Sequence, residues 1–360
     1  MYSESDLEAA VAAGALTPDA AASLRSYVAE TRAAPAVDEE HFRLLTGFND
    51  IFVSIAAVLL LVAVSWIGNS IRINPDPAMP SPFAGLFVAA TAWGLAEFFT
   101  RKRRMALPSI ILLLAFVGGV FAASGLMLVN FLPEELLNNN VTLGALLVAG
   151  CAAIAAAGAW LHWQRFRVPI TIAAGAAAVV GLVLALIASV MGDTPQIEQI
   201  MLGFGLALGI GVFLFAMWWD SSDPRRETRR SDVAFWLHLL AAPLIVHPVF
   251  SLLGLTDGNA TVIEAIVVLL VYVVLGLTAL AIDRRALLVS ALAYVLFALN
   301  SVFREYGAVE LSVALTALVI GSALLLLSAF WHSVRRSVVQ PLPANLRARL
   351  PVTDRATVTA

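Results

Sequence analysis

Ten apolar runs, each close to the length of a membrane-crossing helix and separated by charges, proline or asparagine, constrain this chain more than any other feature. They are Phe48–Gly68, Pro82–Phe99, Leu107–Asn130, Val141–Leu161, Pro169–Met191, Gln199–Trp219, Val233–Leu255, Val262–Ile282, Ala286–Phe303 and Leu311–His332. A bilayer's hydrocarbon core takes about 20 helical residues to cross, and in lipid the backbone must satisfy its own hydrogen bonds. The runs therefore predict an all-α polytopic membrane helix bundle of about ten transmembrane helices over residues 48–333. Composition removes the soluble classes, since 60% of the 360 residues are hydrophobic and 13% charged, against roughly 25% charged in an ordinary soluble domain.

Charge gives orientation. Lysine and arginine are retained on the cytoplasmic side, so the junctions of a correctly divided helical membrane protein alternate between basic and non-basic. The even junctions carry Arg101, Lys102, Arg103 and Arg104, then Arg165 and Arg167, then Arg225, Arg226, Arg229 and Arg230, then Arg284 and Arg285. With the two tails these make 20 basic residues on one side, and only Arg72 and Arg304 fall on the other. Both termini are thus expected in the cytoplasm, and the net charge of −3 hides a strong field across the membrane. That balance suggests no nucleic-acid partner, and the single cysteine, Cys151, excludes a disulfide scaffold. The first run follows an acidic segment and precedes no cleavage site, which predicts a retained helix rather than a signal peptide. One lysine against 21 arginines points to a bacterial source, hence to the inner membrane.

Outside the spans, residues 1–33 predict a small cytoplasmic helical hairpin. Ser5 and Glu8 form a capping box, Gly14 suits a helix stop, Thr17 is a good N-cap and Pro18 is favoured just after it. A unit this small rarely folds alone, so it is expected to dock on the membrane domain, on a second copy or on a protein partner. Residues 34–47 read as a linker and an interfacial amphipathic helix, with Phe42 and Leu45 against Glu39, Glu40 and Arg43. Residues 334–360 lack an apolar period and read as a disordered cytoplasmic tail, with Arg335 and Arg336 near anionic lipid.

The stretch Leu7 to Ala21, of the type Leu-x-x-Ala-x-x-x-Gly-x-Leu-x-x-x-x-Ala, is followed by an acidic linker and the first span around Asp50 to Trp66. This arrangement resembles the bacterial membrane family called domain of unknown function 2157. The resemblance covers roughly the first 70 residues and implies a polytopic bacterial membrane protein of a family with no assigned activity.

An ionisable side chain is costly in lipid, so each one within a span is a functional candidate weighed against local pairing. Asp50 lies at the start of the first span. Glu97 precedes Arg101 by four residues on one helix face, which supplies a partner. Glu264, Asn300 and Glu305 lie toward the outer ends of the eighth and ninth spans and are candidates for an outer vestibule. The seventh span is the exception, because His238, Pro243, His247 and Pro248 lie well inside it and are candidates for a cavity or a gate. Each proline frees the carbonyl four residues back, at Leu239 and Leu244, and kinks the helix. The histidines are nine residues apart and face opposite sides of a straight helix, so they are no metal pair. A histidine hydrogen-bonded to a neighbouring helix is the bland alternative.

Gly205, Gly209 and Gly211 in the sixth span, and Ala149, Ala153 and Ala157 in the fourth, read as helix-packing positions. Trp93 and Trp218-Trp219 read as interfacial anchors. No catalytic motif or metal-ligand spacing is found and no cofactor is implied. Two functions remain open. Ten spans with both ends inside divide into five plus five, which necessarily inverts the second half, as in many secondary transporters; a small-solute permease would use the seventh span. The other is a membrane-embedded sensor or scaffold whose hairpin binds a partner, favoured by the scarcity of charge at mid-membrane depth.

Overall fold

The computed structural model describes residues 10–24, 48–74, 76, 79–133, 136, 140–224, 226, 228–253, 262–305 and 311–351. The chain divides into a small unit, residues 1–43 with 354–360, and a large one, residues 44–353. In the small unit, 10–12 and 18–24 are helical. Between them Gly14 takes φ +70°, and Thr17 caps the second segment by accepting from Ala20 N–H at 3.2 Å.

The large unit is an all-α polytopic membrane helix bundle with no strand among the described residues. Its helices are α1 (Phe48–Ser70), α2 (Pro82–Ala96, continued as a π-helix over Glu97–Lys102), α3 (Ala106–Phe131), α4 (Val141–Phe166), α5 (Ile170–Met191), α6 (Ile197–Ser221), α7 (Arg229–Leu252), α8 (Val262–Ile282), α9 (Ala286–Glu305), α10 (Ser312–Ala329), α11 (Trp331–Val339) and α12 (Ala344–Arg347). Among the described residues eight of these, α1 to α7 and α10, are long and apolar enough to cross a membrane, while the apolar stretches of α8 and α9 are shorter. Large apolar side chains such as Phe52, Leu59, Leu214 and Leu325 remain exposed along them, the surface that lipid covers in a protein of this class.

Local chemistry explains the boundaries. The Ser81 hydroxyl accepts from Phe83 N–H ahead of Pro82, and Asn140 Oδ1 accepts from Leu143 N–H at 2.9 Å, so α2 and α4 start on side-chain caps. Helices joined through the basic turns pack most extensively, as α2 with α3, α4 with α5 and α6 with α7. Each basic turn contains one non-glycine residue in the left-handed region: Arg104 (φ 54°), Arg167 (55°), Arg226 (54°) and Asp283 (56°). Such a residue costs about 1–2 kcal/mol, and no glycine marks these reversals in the sequence. A row of contacts then links the second helix of each pair to the next, α3 to α5, α5 to α7 and α7 to α9.

In that row α7 is central, with half of its apolar window buried against 17–28% for the other seven long helices. Val212, Ala216, Val233 and Leu237 close one core beside it; Val246, Phe250, Val295 and Ile320 close another. The C-terminal segment differs from expectation. Residues Trp331–Val339 form a helix, and Arg335 is buried rather than spread on lipid, because buried acceptors on other elements take its guanidinium.

The small residues divide as well. A Cβ on Gly209 would stand 2.8 Å from Leu244 O, and one on Gly205 would meet only Pro248, at 3.8 Å, whereas Gly211 faces open space. In α4 the buried stripe runs through Ala149, Ala152, Ala155 and Ala159, not Ala153 and Ala157. An equally tight approach that the sequence did not single out joins α2 and α3, where a Cβ on Gly85 would lie 2.7 Å from Gly119 O.

Candidate functional site

The polar groups inside the bundle gather at the basic end of α6 to α9. Asp220, one residue before the end of α6, is almost completely buried. Its carboxylate accepts from Arg284 twice, Nη2 to Oδ1 at 2.6 Å and Nε to Oδ2 at 3.2 Å, and lies 3.1 Å from His238 Nε2. Because an ionised carboxylate only accepts, Nε2 carries the imidazole proton, and Nδ1 is left buried without a hydrogen-bond partner among the described residues. Arg284 also donates to Ser231 O at 3.1 Å. One carboxylate thus joins α6, α7 and the α8–α9 turn.

The neighbouring residue centres a second knot. Asp283 accepts from Arg226 Nη1 at 2.8 Å and from the Trp331 indole N–H at 2.7 Å, with Arg335 Nε 3.7 Å away. Arg226 and Arg335 donate further to backbone carbonyls, Arg226 to Asp283 O at 3.0 Å and Arg335 to Pro351 O at 2.6 Å. Burial pushes the Asp283 carboxyl up, but the Arg226 and Arg335 guanidiniums and the Trp331 hydrogen bond outweigh it and hold the group below its ordinary value. Asp223 ends the α6–α7 turn in the same manner, accepting from Thr228 N–H at 2.9 Å and Oγ1–H at 2.7 Å. The left-handed backbones of Arg226 and Asp283 lie within this arrangement, which over-determines them.

The histidines of the seventh span have separate fates. His238 is fully buried against Asp220 and the Phe213 ring. His247, nine residues on, is exposed on the flank of the bundle with Nδ1 2.7 Å from the Tyr294 hydroxyl, and Tyr294 stacks on the buried Phe250. Pro243 is exposed and Pro248 buried. The carbonyl that Pro248 frees, Leu244 O, points at the bare backbone of Gly209, where Cα–H can approach it. The structure therefore does not bring the four residues together into one cavity.

Of the outer candidates, Asn300 is half-buried and its Oδ1 has no hydrogen-bond partner among the described residues; the side chains of Glu264 and Glu305 lie outside what is described. Glu97 meets Arg101 at 3.2 Å as expected and also Arg165, at 2.7 and 3.0 Å. Trp93 is no interfacial anchor, since it packs on Phe116 and Phe166 around the buried His162. Trp218 is exposed.

Sequence reading missed Asp220, Asp283, Arg226, Arg284 and Arg335, because acids and arginines near helix ends read as solvated loops. The signal available was two acids, Asp220 and Asp283, each at the end of an apolar run with arginines nearby. A separate cleft of about 460 Å³ lies between α8, α9, α10 and α11, lined by Tyr272, Arg285, Leu288, Leu324 and Trp331 among others. No group of three or more metal-ligating side chains occurs among the described residues.

Fold and site together define an all-α multi-pass membrane protein whose basic end is tied by buried ion pairs. Comparison with protein-family models, with curated proteins and with solved structures finds no match to this chain.

Proposed function

We propose that the chain is a bacterial inner-membrane protein of ten spans, with both termini in the cytoplasm, that acts as a membrane-embedded scaffold or sensor and engages a protein partner or a second copy through residues 1–33. The observation that carries this reading is the immobilised seventh helix. His238 is held by Asp220 and Arg284, Leu244 O is seated against Gly209, and His247 is turned to the flank. A solute path needs polar groups converging on a cavity at mid-depth, whereas these groups diverge. The resemblance of the first 70 residues to domain of unknown function 2157 supports a bacterial polytopic protein and adds no activity.

A small-solute permease is the second reading. What favours it is that the buried ion pairs close one end of α6 to α9, the sort of closure that alternating access would open and remake.

Thiol accessibility separates the two without knowledge of a substrate. In a Cys151→Ala background, single cysteines replacing Ala242, Val246 and Asn300 are treated in vesicles with a membrane-impermeant thiol reagent from each face in turn. The scaffold expectation is that Ala242→Cys and Val246→Cys stay unlabelled from both faces. Labelling of one mid-span position from both faces overturns it in favour of the permease. Deleting residues 1–33 tests the other half: unchanged crosslinked partners and unchanged self-assembly would remove the hairpin from the proposal.

A further inference from the structure

The cleft between α8, α9, α10 and α11 has an asymmetric lining. Leu288, Leu324 and Leu327 make it apolar, while Arg285, in the basic α8–α9 turn, stands at it with its guanidinium 4.8 Å above the Trp331 ring. A guanidinium donates within its own plane, so an aromatic ring beneath its face fixes its orientation without consuming its N–H donors. The Tyr272 hydroxyl also lines the cleft and is buried with no hydrogen-bond partner among the described residues, an expensive arrangement unless something supplies an acceptor or donor.

We infer that this cleft binds one anionic phospholipid, its phosphate on Arg285, an acyl chain along Leu288, Leu324 and Leu327, and an ester oxygen serving Tyr272. The occupant follows from charge complementarity. A soluble anion would match Arg285 but leave the leucines facing water, and an apolar segment would match the leucines but leave a cation against hydrocarbon. An amphiphile with an anionic head matches both, and the arginine-rich end of the bundle is where such heads are attracted. The site is independent of the scaffold and permease readings, since it lies on the other side of α9 from the Val246 and Phe250 core.

The test uses the full chain purified in mild detergent and exposed to palmitoyl-oleoyl phosphatidylglycerol or to the phosphatidylcholine of the same chains, with bound lipid counted by native mass spectrometry. One phosphatidylglycerol per chain is expected to be retained in preference to phosphatidylcholine. Arg285→Gln should lower its retention about fivefold, Arg285→Lys should lower it less, and Leu324→Trp, which fills the cleft, should lower it at least as far as the glutamine. Tyr272→Phe should weaken it by a smaller factor. Circular dichroism and melting confirm that each variant is folded, and if Arg285→Gln is not, Leu324→Trp decides. Wild-type retention by Leu324→Trp, equal retention of the two lipids, displacement by millimolar inorganic phosphate, or a dimer that Leu324→Trp dissociates would each overturn the assignment, the last two by naming a soluble anion or a second copy instead.

Discussion

Asp220 and Arg284 stand 64 residues apart in the chain and meet through two hydrogen bonds, the shorter at 2.6 Å, with both side chains almost wholly buried. This pair, with His238 on the far side of the carboxylate, fixes the end of α6 to α7 and to the turn that begins α9. Removing charges from water is costly, and only the full set of hydrogen bonds offsets it.

Breaking the set should therefore cost more than dissolving it. Asp220→Asn leaves the buried Arg284 uncompensated and is expected to destabilise the protein by about 3 kcal/mol or more. The double variant Asp220→Asn/Arg284→Met should lie closer to wild type than Asp220→Asn alone. Unfolding midpoints in mixed micelles measure both; additive losses would show that the two side chains do not act together.

The glycines of α6 make opposite predictions. A side chain on Gly209 would collide with the backbone at Leu244, so Gly209→Val should cost about 1–3 kcal/mol by overpacking. Gly211 faces open space, and Gly211→Ala should be neutral or stabilising by up to about 1 kcal/mol through helix propensity. Thermal unfolding in detergent ranks the two, and equal effects would contradict the assigned packing.

The histidines should separate in the same assay. His238→Ala removes a fully buried ring and one partner of Asp220, combining a cavity with a lost hydrogen bond to a charge, and should cost about 3 kcal/mol. His247→Ala and Tyr294→Phe each remove one bond on an exposed flank, worth about 1 kcal/mol or less. A larger loss for His247→Ala than for His238→Ala would reverse the roles given to them.

Acid should act through Asp283. Its folded carboxyl is held below the ordinary value, so its contribution is present in full above the unfolded carboxylate pKa of about 3.9 and is lost as pH falls through the lower folded value. Asp283→Asn should lower stability at neutral pH and flatten the decline below about pH 4 relative to wild type. Melting temperature against pH for the two proteins is the measurement, and parallel curves would exclude Asp283 as a source of acid sensitivity.

Particular elements show what the sequence made legible. The starts of α4, α8 and α9 fall on the residues at which the apolar runs begin, since the distance from a charge to the next charge is a one-dimensional quantity. The pairing of Glu97 with Arg101 was legible because four residues make one helical turn. Arg165, the stronger partner of Glu97, was not, because it comes from α4. In the same way Gly209 was identifiable as a packing residue, but only the facing helix distinguishes it from Gly211.

The sequence alone determined the class: a chain of apolar runs long enough to span lipid must be helical there, and the arginines at alternate junctions assign a side to each. Tertiary structure alone decided the site. Asp220, His238 and Arg284 come from three elements, as do Asp283, Arg226 and Trp331. Hydropathy and periodicity describe what each residue does along its own helix, whereas an ion pair depends on a distance between helices that no local pattern encodes. The same reason turns a histidine at mid-sequence of the seventh span from a candidate for a channel into the buried partner of an aspartate.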